Sequence, residues 1–98
     1  MIIRIVKMTF EKEKVEEFLI IFNASKHLIR NMEGCTHLEL LSDVHAPNIY
    51  FTYSYWNNDS DLQNYRNSEL FKMVWGKTKV LFADKAQAWT VVQKVILE

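Results

Sequence analysis

Cysteine, proline and glycine are all scarce in this 98-residue chain, at one, one and two copies. The single cysteine rules out an intramolecular disulfide framework and, with so few partners, a cysteine-based zinc site. Two glycines and one proline exclude a collagen-like, linker-like or loop-dominated chain. Charge of one sign is missing too: twelve Lys and Arg balance twelve Asp and Glu, for a formal net charge of zero. Dedicated nucleic-acid binders carry a clear basic excess, so no nucleic-acid partner is expected. No apolar run approaches the roughly 20 residues of a membrane span, and the N-terminus lacks a signal-peptide pattern. The expectation is one domain over residues 1–98, with no membrane partner, in the reducing cytoplasm.

What the chain does have is apolar surface. Hydrophobic residues make up 49% and aromatic ones 13%, the balance of a folded globule. Ile2 to Phe10 is dense in β-branched residues and reads as a strand. From Glu13 to about Asn31 the spacing turns helical, with Val15, Phe18, Leu19, Phe22 and Ile29 on one stripe. Gly34 is placed to end that helix. Cys35 to Ser42 alternates, Asp43 to Asn48 is a polar turn around Pro47, and Ile49 to Trp56 is an aromatic strand. Asn57 to Ser60 offers N-caps for a short helix carrying Leu62, Tyr65 and Arg66. Ser68 caps another, with Phe71, Val74, Trp75, Thr78, Leu81 and Phe82 on its stripe. Gly76 inside it signals close packing, room for a ligand, or a tolerated surface glycine. Ala88 to Leu97 reads as the last strand.

The order is β-α-β-β-α-β, an α+β ferredoxin-like arrangement with four antiparallel strands. A half-wet sheet should alternate cleanly, and these strands do not. The last strand puts Trp89, Val91, Val95 and Leu97 on one face and Ala88, Val92 and Ile96 on the other, and the first sets Ile3 and Ile5 against Ile2, Val6, Met8 and Phe10. Helices cover one face only, so the expected cover for the second is another copy of the chain, in a homodimer.

Arg30, Gly34-Cys35 and Glu39-Leu40, then Asp43 and Pro47, then Trp56 followed by Leu62, Tyr65, Ser68 and Phe71, resemble the antibiotic biosynthesis monooxygenase (ABM) superfamily. The resemblance implies a dimeric α/β barrel with a ligand cavity between each sheet and its helices. It also implies a small monooxygenase that needs no cofactor and acts on a quinol-like or polycyclic aromatic molecule. The alternatives it leaves are a non-catalytic ligand-binding dimer and an atypical haem-binding or haem-degrading relative. The residues that mark haem-degrading members would fall near Lys7, Tyr65 and Trp75, and all three differ here. The missing histidine removes the usual axial iron ligand.

Such an oxygenase asks for an aromatic pocket, a base and donors for the resulting anion. Tyr65 and Trp56 are the catalytic candidates, Tyr65 as donor or relay. Tyr53, Phe71, Trp75 and His37 are the substrate-pocket candidates, with Tyr55 another aromatic able to line it and His37 a potential base near neutral pH. Core packing is the competing reading for each aromatic. Arg4 and Glu39 are placed to form an ion pair inside the barrel. Cys35 and His37 are expected on one strand face, without the flanking activation a nucleophile pair needs. His27, His37 and His45 lack ligand spacing, so no metal is expected.

Overall fold

The computed structural model describes residues 1–98. Its elements are β1 (Ile2–Thr9), a 3-10 turn (Lys12–Lys14), α1 (Val15–Arg30), β2 (Cys35–Ser42), β3 (Ile49–Trp56), α2 (Asp59–Arg66), α3 (Glu69–Lys79) and β4 (Gln87–Val91). The strands form one antiparallel sheet in the order β2-β3-β1-β4. This is the α+β ferredoxin-like order that the periodicities predict.

The caps are the expected ones. Asn58 Oδ1 accepts from the Asp61 amide at 2.9 Å, and Ser68 Oγ accepts from the Phe71 amide at 3.1 Å. After α1 the chain turns at Gly34, whose φ of 84° lies in the left-handed region. A β-carbon there would also run into the Asp61 side chain. Arg30 Nη1 closes the turn by donating to the Cys35 carbonyl at 2.7 Å.

The pairing Ile2–Trp56, Arg4–Ser54, Val6–Thr52 and Met8–Tyr50 assigns these side chains to the helix-covered face. Ile3, Ile5, Tyr53, Tyr55, Trp89 and Val91 take the opposite face, where Ile3 is buried while Trp89 and Val91 stay exposed. Two buried clusters hold the covered side together. Met8, Phe10, Phe18, Phe22 and Leu81 form one, and Cys35, Trp56 and Leu62 the other.

Two expectations need correcting. The last strand stops at Val91 rather than Leu97, because its register brings Ile3 opposite Val91. β1 itself begins at Ile2, which would lie opposite Val92, so residues from Gln93 onward have no strand opposite them. Cys35 and His37 do not share a face. The ladder shifts between them, so Cys35 opposes Trp56 while His37 opposes Tyr55. An extra residue in one strand inverts the alternation after it.

Candidate functional site

Between α1, α3 and the covered sheet face lies a cavity of about 320 Å³. Its sheet wall carries Arg4, Val6, Thr52, Ser54 and Trp56. Phe18, Phe22 and Ile29 enter from α1, and Leu62, Tyr65 and Arg66 from α2. Phe71, Val74, Trp75 and Thr78 complete it from α3, one inward stripe at helical spacing.

The joint between α2 and α3 sets the aromatic part of this wall. Ser68 Oγ donates to the Tyr65 carbonyl at 2.6 Å while accepting from the Phe71 amide, which ties the two helix ends together. Tyr65 therefore stacks on Trp56 at 5.1 Å between ring centroids and meets Phe71 edge-on at 5.2 Å. Phe71 stacks in turn on Trp75 at 5.8 Å. The row continues through Phe82 and Phe10 to Phe18.

The polar groups of the wall have distinct states. Trp56 is fully buried and its Nε1–H donates to Ser54 Oγ at 2.9 Å, which commits its only polar atom. Burial pushes the Tyr65 phenol well above its ordinary pKa, and the nearby Cys35 adds to the shift. Tyr65 is thus a proton-bearing donor at neutral pH and not a base. Arg4 Nη1 donates to Thr90 Oγ1 at 2.9 Å across the β1–β4 ladder. Its pKa is lowered by burial first and by the charge of Arg66 second.

Trp56, Tyr65, Phe71 and Trp75 thus meet at one cavity. Two other candidates do not reach it. Tyr53 points from the opposite sheet face, beside Tyr55 at 5.5 Å. His37 sits with them, its ring 4.8 Å from Tyr55 and its Nε2 3.1 Å from Glu39 Oε2. Strand parity explains both corrections, since Tyr53 and Tyr55 alternate with the cavity residues Ser54 and Trp56, and the shift before His37 puts it opposite Tyr55. The same parity separates Arg4 from Glu39, so the expected ion pair between them does not form. Of the three positions that mark haem-degrading relatives, Tyr65 and Trp75 line the cavity, whereas Lys7 opposes Phe51 on the other face. A β-carbon on Gly76 would meet nothing within 4 Å, which excludes the close-packing reading, and the glycine does not line the cavity. No three His, Cys, Asp or Glu side chains converge as metal ligands.

Sequence reasoning missed Arg66 and the hydroxyls of Thr52 and Ser54 as wall residues. Parity was the available signal for the sheet pair. Arg66 follows Tyr65 directly and comes seven residues after Asp59, which starts α2.

The model of the antibiotic biosynthesis monooxygenase family matches residues 1–74, from β1 into α3. The chain belongs to that family. Most of the cavity wall lies inside the matched span of this ABM chain, with Trp75, Thr78, Ala86 and Ala88 beyond it. Among solved structures, a conserved protein from Methanosarcina mazei is 21% identical with a TM-score of 0.89, over 95% of this chain and 93% of that one. An antibiotic biosynthesis monooxygenase structure is 14% identical with a TM-score of 0.91, over 97% and 100%. A Mycobacterium tuberculosis protein is 10% identical with a TM-score of 0.89, over 99% and 98%. At these identities the likeness is one of fold. No curated protein matches the chain.

Proposed function

We propose that this ABM chain is a cofactor-independent monooxygenase that oxidises a quinol-like aromatic molecule inside the cavity, working as a homodimer. The observation that carries the reading is the cavity itself: fourteen of its nineteen wall residues are hydrophobic, and a phenolic donor and two guanidinium groups share the wall. Its volume of about 320 Å³ falls at the small end of ligand pockets, roughly 300–1,000 Å³, which favours a quinol-sized body over a large polycyclic one.

In this reading the aromatic row holds the ring. The charges of Arg4 and Arg66 favour the phenolate over the phenol. Tyr65 donates a hydrogen bond to an oxygen of that anion and stays protonated while doing so. The wall carries no His, Asp, Glu or Lys, so the phenol proton passes to water at the mouth. The electron-rich anion then reacts with dioxygen. One oxygen atom enters the ring and the other leaves as water. The quinol supplies all four electrons and ends as a hydroxyquinone, so no external reductant is needed.

The absence of a wall base also favours a second reading, a dimer that binds the same ligand without turning it over. One experiment separates the two. Hydroquinones are bound anaerobically, oxygen is admitted and products are analysed. Turnover that falls in Tyr65→Phe with an unchanged melting temperature supports the oxygenase; binding without product supports the carrier.

A further inference from the structure

The wall's charges are all of one sign. Arg4 and Arg66 are its only ionisable groups besides Tyr65, and no carboxylate faces them. The chain's ion pairs, Lys14–Glu17, His37–Glu39 and Lys72–Glu69, all lie elsewhere. Arg66 Nη1 reaches only Gln63 Oε1, at 3.4 Å. A guanidinium has five N–H donors, and the bond to Thr90 uses one of those on Arg4. Holding the partly buried Arg4 guanidinium there without a counter-charge carries a desolvation cost. Nothing in the fold requires it, since Val6 and Met8 fill the same face of β1 with apolar side chains.

We propose that the ligand of this cavity is an aromatic molecule that already carries a carboxylate, gripped by Arg4 and approached across Arg66 at the rim. The planar fork of arginine matches a carboxylate with two parallel hydrogen bonds, whereas a phenolic oxygen takes only one of them. Arg4 sits on a central strand and is held by Thr90, so the fork is fixed in place before the ligand arrives. Arg66 is exposed at the end of α2, beside Tyr65. Burial and Arg66 both disfavour the charge on Arg4, and a bound anion relieves both. The proposal rests on the reading of the cavity as the substrate site, and adds the charge of what enters it.

The test uses two probes of nearly equal shape, naphthalene-2-carboxylate and the neutral naphthalene-2-carboxamide, titrated by calorimetry at pH 7. Charge-assisted hydrogen bonds imply a preference for the carboxylate of about tenfold or more. Arg4→Gln keeps an amide for Thr90 and is expected to erase that preference, so that both probes bind alike. Arg66→Gln, at an exposed position, is expected to reduce it by a few-fold and to lessen its dependence on salt. Equal binding of both probes by the unaltered protein overturns the charge proposal and leaves the cavity reading standing. Survival of the full preference in Arg4→Gln also overturns it. Binding of neither probe removes the cavity reading and this proposal with it. Turnover is not measured, so a failed oxygenase assay does not bear on the result.

Discussion

On the covered face of the sheet Met8, Ser54 and Trp56 are buried, and Arg4 and Thr52 look into a cavity. On the open face Leu41, Trp89 and Val91 keep about two fifths of their surface in solvent. The two faces draw on the same four strands, and each is rich in aromatic side chains. They differ in the polar groups they carry. The covered face has two arginines and a phenol that stays protonated, while His37 and Glu39 pair on the open face. A strand's alternation therefore sorts chemistry as well as polarity, and neighbours in sequence work in separate environments.

Substitutions that strike one face and spare the other test this contrast. The largest effect is expected from Trp56→Ala, which removes a fully buried indole beneath the cavity and should cost about 3–5 kcal/mol in urea unfolding. Gly34→Ala comes next at about 2 kcal/mol, since the left-handed backbone and the Asp61 side chain both oppose a β-carbon. Its signature is a lower denaturation midpoint with an unchanged slope.

On stability, Tyr65→Phe acts only in alkali. Below about pH 10 the phenol is protonated in both the folded and unfolded chain. Above that the unfolded chain releases the proton and the buried phenol keeps it, so stability falls as pH rises. The slope from this group is at most about 1.4 kcal/mol per pH unit, and Tyr65→Phe should remove that share. Cys35, whose thiol burial also pushes up, keeps its own part of the decline. Gly76→Ala should stabilise by up to about 1 kcal/mol, because a methyl there meets nothing and raises helix propensity.

The smallest effect on folding belongs to Trp89→Asp, within about 0.5 kcal/mol at a surface site. Sedimentation gives its value to the comparison. The unaltered protein is expected near twice 11.7 kDa when dilute, and Trp89→Asp near 11.7 kDa. A stable monomer of the unaltered chain would remove the assembly from the proposed function.

Most of the fold was legible because periodicity and caps agree with each other. Ser68, Asn58 and Gly34 sit where their chemistry is needed, and the stripe from Phe71 to Thr78 faces inward as its spacing predicts. The site was legible only in part. Trp56, Tyr65, Phe71 and Trp75 come together through local spacing, which sequence carries. His37 was misplaced because a one-residue shift in a ladder leaves no mark in a pattern of side chains. The overlong last strand has a related cause: the apolar run from Val95 to Leu97 is real, but pairing depends on how much of β1 remains opposite it. Arg4 was assigned to Glu39 by attraction of charge, and the parity of two strands decides otherwise.

The three tryptophans are divided between the two faces, with Trp56 and Trp75 in the cavity wall and Trp89 on the open side. Intrinsic fluorescence can therefore be split by location. With Trp89→Phe, the remaining emission comes from the cavity wall and changes as a ligand quenches or shields it. With Trp56 and Trp75 both replaced by Phe, the remaining emission belongs to Trp89, and the proposed dimer predicts that it shifts to the blue as the protein is concentrated. The chain thus carries a separate optical reporter for each face of its sheet, with no label added.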